Sequence, residues 1–216
     1  MADTQQKFAQ LREFAAETLA RYRVPGAALG IFADGEQFAA GFGITNVRHP
    51  LEVDEHTLFQ IGSNTKTFTA TLAMRLVEQG KLDFDSPIRR YLPGFRMKDS
   101  GIAERVTMRH LLTHRGGWEG DFFEDTGNGD DALRIYVERM SDLAQLTPLD
   151  AVWSYNNAAF SLAGRVIEVL NSTTYEAALT DQILKPLGLK RSFIFPTDVM
   201  THRFAVGHFT TERDNL

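Results

Sequence analysis

The chain has 216 residues, 43% of them hydrophobic and 24% charged, a composition that excludes a disordered or collagen-like protein. Its 28 acidic residues outnumber its 23 basic ones, and the net charge of −5 argues against nucleic acid as a partner. The sequence contains no cysteine, which excludes disulfide bonds, zinc–thiolate sites and a cysteine nucleophile.

The N-terminal part of the chain predicts one helix followed by a β-hairpin. Between residues 4 and 22 the apolar residues recur every three or four positions, the spacing of one buried helix face. The segments 27–33 and 36–44 flank Asp34 and Gly35, a pair that favours a type I′ turn because both positions need a positive φ. A two-stranded hairpin is marginal in water, so these strands should belong to a larger sheet.

From Ser63 onward the periodic segments are helical. Predicted helices cover residues 63–79, 108–112, 131–140, 156–170 and 175–184. The connections 82–101 and 119–130 are rich in Asp, Gly and Pro, and loops of that length often line a binding site. The sequence thus divides into an N-terminal helix and hairpin over residues 1–62 and a mainly helical subdomain over residues 63–216.

A serine and a lysine at the start of the first of these helices form one chemical signal. Ser63 and Lys66 are three residues apart and lie on the same helix face, so the lysine ammonium can reach the serine hydroxyl. A serine hydroxyl is a poor nucleophile until a neighbouring group takes its proton, which a lysine in a cleft can help to do. The structural alternative is a helix cap beside a solvated charge.

A tyrosine and an asparagine before a later helix form a second signal. Tyr155 and Asn157 stand at the mouth of that helix, where both side chains can face a cleft. An ammonium close to a tyrosine favours the phenolate, which makes Tyr155 a candidate base for Ser63. The structural alternative is a capping asparagine with an aromatic neighbour. Each pattern alone is weak, but the two together, each at a helix start, rarely coincide by chance.

Several ordered runs along the chain resemble the serine β-lactamase and penicillin-binding-protein superfamily, most closely the class C β-lactamase-like branch of carboxylesterases, D-aminopeptidases and D-alanyl-D-alanine carboxypeptidases. The runs are VPG at 24–26, FQIGSNTKT at 59–67, GKLDFDSP at 80–87, RHLLTH at 109–114, YNN at 155–157, GRVIE at 164–168 and PLGL at 186–189. The resemblance implies an α/β (α+β) fold of the β-lactamase/transpeptidase-like kind, with an antiparallel sheet flanked by helices and a mostly helical subdomain.

The same resemblance implies a serine hydrolase that works through an acyl-enzyme and needs no metal or cofactor. Ser63 would attack a carbonyl carbon, with Lys66 and Tyr155 sharing the proton transfer. Asn157 would orient Lys66 and the substrate carbonyl, and the Ser63 backbone N–H would form half of an oxyanion hole. The substrate would be a small molecule or short peptide: an ester, an amide or a D-amino-acid peptide.

One family motif has no counterpart in the sequence. The family carries a Lys or His followed two residues later by Gly, on a strand well downstream of the position of Gly188. Here His208 is followed by Phe209 and Thr210, so it does not fit. We therefore expect the C-terminal part of the sheet to be missing from this chain, through truncation or cleavage near residues 210–216, and a complementary C-terminal polypeptide to complete the site.

Other functions and sites compete with this interpretation. A non-catalytic fragment or binding module of the same fold, or an acyltransferase using the same acyl-enzyme, fits the same motifs. His110 and His114 have the spacing of a metal pair, but no third ligand is evident and a structural role is favoured. A calcium loop starting at Asp125 would need a glutamate where Tyr136 stands. No metal site is predicted.

The sequence also bears on cellular location. The longest apolar run, from Pro25 to Ala33, is far shorter than the roughly 18 residues of a membrane-spanning helix. The first residues, MADTQQKF, lack the basic and apolar regions of a signal peptide. We therefore expect no membrane span and a cytoplasmic location.

Overall fold

The computed structural model describes residues 2–209, which form two compact units. One unit contains residues 2–61 and 193–209, and the other is Gly62–Ser192. From the sequence, residues 193–209 were expected to belong to the helical subdomain. They group with the first unit because extended backbone there bonds to it: Leu58 N–H donates to the Arg203 carbonyl, and Val206 N–H donates to the Thr45 carbonyl. The cleavage point expected near residues 210–216 lies outside the described residues.

The first unit contains a helix packed on an antiparallel hairpin. Its elements are α1 (Ala2–Arg21), β1 (Gly26–Ala33) and β2 (Glu36–Gly43). The rings of Phe8 and Phe38 are 5.1 Å apart and join the helix to the second strand. Asp34 and Gly35 have φ values of 52° and 82°, so the predicted turn is confirmed. Among residues 2–209 the sheet consists of these two strands.

Short extended segments and one short helix complete the first unit. An isolated antiparallel bridge joins Ile44 to Glu52, and a parallel one joins Leu58 to Phe204. Gly41 lies so close to the Val53 backbone that a Cβ atom would overlap it, which explains why glycine stands there. The short helix is α8 (Pro196–Val199), numbered in chain order after those of the second unit.

The second unit is helical. Its helices are α2 (Thr65–Glu78), α3 (Ser100–Arg105), α4 (Met108–Leu112), α5 (Ala132–Arg139), α6 (Asn157–Asn171) and α7 (Tyr175–Leu179), with 3-10 turns at Gly62–Asn64, Ile88–Arg90 and Met140–Asp142 and a π-helical turn at Thr180–Leu184. Helix α3 was not predicted, because its start falls in the connection 82–101. Asp99 caps this helix by accepting the N–H groups of Gly101 and Ile102.

Helix α6 is the centre of the second unit, since α2, α4, α5 and α7 all pack against it. Its buried face is built mainly from small and branched apolar residues: Ala158, Ala159, Leu162, Ala163, Val166 and Ile167. One carboxylate, that of Glu168, is also buried and is bonded by Arg165 over 2.8 Å. None of the helices formed by residues 2–209 is both long and apolar enough to cross a membrane.

Candidate active site

Ser63 lies in the 3-10 turn that leads directly into α2. Gly62 begins that turn with a φ of 50°, a backbone conformation that glycine adopts readily. The regular helix begins at Thr65, two residues later than the sequence predicted. Lys66 is therefore in the first turn of α2, and its Nζ atom is 3.3 Å from Ser63 Oγ. The contact expected from the three-residue spacing is present.

Tyr155 approaches the same serine from the segment before α6. Its hydroxyl donates to Ser63 Oγ over 2.7 Å, although the two residues are 92 positions apart. The hydrogen bond with the Lys66 ammonium, and after it the one with Ser63, lowers the pKa of Tyr155 below its ordinary value of 10.0. Lys66 Nζ also lies 4.8 Å from the centre of the Tyr155 ring. The arrangement thus favours the phenolate of Tyr155 beside the serine hydroxyl.

Asn157 and Asp121 extend this network on the other side of the lysine. Lys66 Nζ donates to Asn157 Oδ1 over 2.7 Å, and Asn157 Nδ2 donates to Asp121 Oδ1 over 2.9 Å. The structure therefore brings together Ser63, Lys66, Tyr155 and Asn157, the four residues singled out from the sequence. It adds Asp121, whose carboxylate is exposed and fixes the orientation of the Asn157 amide.

Backbone bonds hold the start of α6 against the segment that precedes Asp121. The Gly120 carbonyl accepts the N–H groups of both Asn157 and Ala158. Asn156 caps the helix, because its Oδ1 accepts the Ala159 N–H over 2.8 Å, and its Nδ2 donates to the Trp118 carbonyl over 3.0 Å. Asn156 is 1% exposed, so this polar side chain is buried with both ends bonded.

Each of the two histidines weighed as a metal pair has a protein partner at Nδ1. His110 Nδ1 accepts the Thr107 N–H over 3.1 Å and completes a capping box at the start of α4. His114 Nδ1 accepts the Asn156 N–H over 3.0 Å. In the part of the chain that the structure describes, no group of three or more His, Cys, Asp or Glu side chains could hold a metal ion.

An apolar pocket of about 370 Å³ adjoins the network within the second unit. Lys66 and Asn157 line it together with aromatic and small residues of α2, α5, α6, α7 and the loop after Asp121: Thr65, Thr69, Phe122, Phe123, Glu124, Leu133, Tyr136, Phe160, Ser161, Gly164 and Tyr175. Thr69 and Tyr175 bond to one another over 2.7 Å. The pocket has the size and lining to hold one apolar group of a ligand.

The family with this arrangement is identified by comparison with known proteins. The family model described as Beta-lactamase matches residues 9–215, nearly the whole chain. The chain belongs to the beta-lactamase family. The family resemblance expected from the sequence motifs is thus confirmed.

Three members of the beta-lactamase and penicillin-binding-protein group illustrate the match. Penicillin-binding protein 4 of Amycolatopsis lactamdurans is 39% identical over 187 residues, which are 87% of this chain and 49% of that protein. The octameric penicillin-binding protein homologue from Pyrococcus abyssi superposes with a TM-score of 0.78 at 29% identity, covering 95% of this chain and 48% of that one. The class C beta lactamase from Rhodobacter sphaeroides superposes with a TM-score of 0.72 at 28% identity, covering 89% of this chain and 52% of that one.

These comparisons confirm the predicted β-lactamase/transpeptidase-like fold. They also show that the chain spans about half the length of the relatives it matches.

Asp121 was not predicted from the sequence as part of the site. Its carboxylate reaches Asn157 across 36 positions of the chain, and no periodic pattern surrounds it. The only sequence feature that pointed to Asp121 is its place in the long connection 119–130, a loop of the length that often lines a binding site. For His114 the sequence favours a structural role over metal binding, but it does not indicate the contacts with the segment around Tyr155.

Proposed function

We propose that the protein is a serine hydrolase that forms an acyl-enzyme on Ser63. The observation that carries this proposal is the position of Ser63 Oγ, 2.7 Å from the Tyr155 hydroxyl and 3.3 Å from Lys66 Nζ. A serine held between a phenol of lowered pKa and an ammonium has the partners that nucleophilic catalysis needs. A binding module would not need these contacts, and similarity to penicillin-binding proteins and a beta-lactamase also favours catalysis.

In the acylation step, the phenolate of Tyr155 takes the proton of Ser63 as Oγ forms a bond to the substrate carbonyl carbon. The Lys66 ammonium stabilises the phenolate before the transfer. The negative charge on the carbonyl oxygen is stabilised in part by the Ser63 backbone N–H. When the tetrahedral intermediate collapses, the bond to the leaving alcohol or amine breaks and Tyr155 returns the proton to that group.

In the deacylation step, water replaces the leaving group. Tyr155 takes a proton from the water as the water oxygen attacks the acyl carbon. The ester bond to Ser63 Oγ then breaks, and Tyr155 returns that proton to the serine oxygen. Asn157 supports both steps through the hydrogen bond that its Oδ1 accepts from Lys66. An alcohol or amine in place of water would give acyl transfer, so products formed with an added alcohol or amine distinguish the two activities.

The substrate class that fits the pocket is an ester, amide or D-amino-acid peptide whose acyl part carries one apolar group. Lys66 and Asn157 line one part of the pocket, so a carbonyl at Ser63 would place an attached group beside Phe122, Phe160 and their neighbours. A volume of about 370 Å³ suits a phenyl or a short alkyl group.

Labelling with a fluorophosphonate probe tests the proposal. We expect the probe to modify Ser63, as located by peptide mass mapping, and Ser63→Ala to abolish the labelling. Ser192→Ala is the matched control, because Ser192 is exposed and far along the chain, and it should label as the unmodified protein does. Folded protein in which Ser63 stays unmodified would contradict the proposal.

A further inference from the structure

His114 holds both backbone N–H groups that flank Tyr155. Its carbonyl oxygen accepts the Ser154 N–H over 2.9 Å, and its Nδ1 atom accepts the Asn156 N–H over 3.0 Å. One residue of the loop after α4 therefore holds the residue on each side of the tyrosine. The position of the Tyr155 hydroxyl relative to Ser63 follows from the position of this short segment.

The imidazole ring also packs directly on the tyrosine. The ring centres of His114 and Tyr155 are 4.6 Å apart with an interplanar angle of 32°. Phe160 lies against another side of the imidazole at 5.2 Å, and the Trp153 ring lies at 5.9 Å. The histidine thus fixes the direction of the Tyr155 ring as well as its backbone.

The backbone of His114 adopts an uncommon conformation. Its φ is 59°, in the left-handed region where a helix C-terminus usually carries glycine or asparagine. A histidine at such a position is conformationally unfavourable unless side-chain contacts offset the cost. The contacts that His114 gains here are those with Asn156 and with the Tyr155 ring.

The bond to Asn156 specifies the protonation state of the imidazole. An Nδ1 atom that accepts a backbone N–H must have a free lone pair, so the proton of the neutral ring is on Nε2. A second proton would have to sit on Nδ1, where it would face the Asn156 N–H and break the bond. The neutral ring is therefore the form that holds the segment.

We propose that His114, as the neutral Nε2–H tautomer, is a positioning residue for Tyr155, and that its protonation releases the tyrosine from Ser63. The inference rests on the proposed function, since it gives Tyr155 a task that depends on its position. His114 acts through Tyr155 and needs no contact with the substrate.

The electrostatic surroundings of His114 favour the neutral ring. Burial, and after it the positive charge of Lys66 on α2, lowers the pKa of His114 below 6.5. The titratable side chain of Tyr155 packs on the ring, and the adjacent Arg115 pairs with Asp150. Because the pKa is lowered, the ring is neutral at neutral pH and gains its proton as the pH falls through a value below 6.5.

Two variants separate the hydrogen bond from the ring contact. His114→Asn keeps an acceptor, Oδ1, on the atom that carries Nδ1 in histidine, suits a positive φ and cannot titrate. His114→Phe keeps an aromatic ring and loses the acceptor. We expect His114→Phe to lower the rate of Ser63 labelling about 100-fold at neutral pH, because a small displacement of the Tyr155 hydroxyl is enough for a loss of this size. We expect His114→Asn to lower the rate much less. The matched control is His49→Asn, an exposed histidine of the first unit.

Nuclear magnetic resonance of the ¹⁵N-labelled protein provides a readout that does not depend on activity. We expect the His114 ring nitrogens to show the Nε2–H tautomer at neutral pH. As the pH is lowered through the pKa of His114, the Asn156 amide resonance should shift. This shift should be absent in His114→Asn.

Three results would overturn the inference: a protonated Nδ1 at neutral pH, an Asn156 amide that does not respond to His114, or a wild-type labelling rate in His114→Phe. A Ser63 that is unreactive in the unmodified protein would instead contradict the proposed function. In that case the resonance measurements still decide whether His114 holds the segment.

Discussion

Asp121 accepts a hydrogen bond from Asn157 Nδ2 over 2.9 Å, and this bond decides which end of the Asn157 amide faces Lys66. With the NH₂ group turned to the carboxylate, the amide oxygen is left to accept from Lys66 Nζ over 2.7 Å. A rotated amide would place two donors against the ammonium. An exposed carboxylate in a loop thus determines which atom of the Asn157 amide is presented to the half-buried Lys66.

Substitutions at Asp121 separate its bond from its charge. Asp121→Ala removes the acceptor, so we expect kcat/KM to fall about tenfold, the usual order for one lost hydrogen bond. Asp121→Asn can keep an acceptor and removes the charge. Because that charge raises the pKa of Tyr155, the acid limb of the pH profile should move to lower pH in Asp121→Asn. Asp130→Asn in the same loop should change neither quantity, and identical profiles for all four proteins would refute this role.

The lowered pKa of Tyr155 predicts the direction of the pH dependence. In the proposed mechanism the phenolate is the active form, so kcat/KM should rise with pH through the pKa of Tyr155, which lies below 10.0. Tyr155→Phe should reduce kcat/KM by about 10² to 10⁴-fold and remove this limb. Tyr22→Phe, at an exposed position of the first unit, serves as the control. An unchanged rate in Tyr155→Phe would show that another group is the base.

Gly164 on α6 sets the width of the apolar pocket. A Cβ atom there would lie 3.2 Å from Leu133 Cδ1 and 3.5 Å from Tyr175 Cδ2. We expect Gly164→Val to lower kcat/KM for esters with long or aromatic acyl groups and to spare an acetyl ester. Gly164→Ala should give a smaller change in the same direction. The melting temperature of each variant shows whether a lower rate comes from lost stability or from a smaller pocket. An unaltered preference among the ester substrates would show that the acyl group binds outside this pocket.

The ion pair between Arg165 and Glu168 should matter for stability. Glu168 is 5% exposed and accepts from Arg165 over 2.8 Å and from the Tyr175 N–H over 3.2 Å. Arg165→Met would leave a buried carboxylate without its cation, so the free energy of unfolding should fall by about 3 kcal/mol. The control is Arg134→Met, which breaks exposed pairs with Asp131 and Glu138 and should cost little. Urea denaturation measures the free energy of unfolding of both variants. Equal losses in the two would show that the buried pair contributes no more than the exposed ones.

The features that the sequence predicted well are those with a local signature. Asp34-Gly35 specifies its turn through backbone conformation alone, and the serine and lysine meet because three residues in a helix bring them to one face. The meeting of Tyr155 with Ser63 was inferred from two local patterns and the family resemblance. Asp121 and His114 had no such signature, because their roles depend on the path of the chain between α4 and α6.

That path is fixed by contacts distant in sequence. Trp118 is 2% exposed, and its carbonyl accepts from the Asn156 side chain, 38 positions later. At Gly120 a Cβ atom would lie 2.6 Å from the Tyr155 carbonyl oxygen, so a side chain there would displace the segment. In the sequence, the need for this close backbone approach is visible only as one glycine. A glycine between periodic segments can equally mark an ordinary turn.

The start of α6 also bears on where negative charge could be stabilised in the proposed reaction. Gly120 and Asn156 already take the N–H groups of Asn157, Ala158 and Ala159, so these donors are occupied before any substrate arrives. An oxyanion turned toward α6 would therefore find none of these three backbone donors free. In the proposed mechanism the donor available to the carbonyl oxygen is the backbone N–H of Ser63, in the turn before α2.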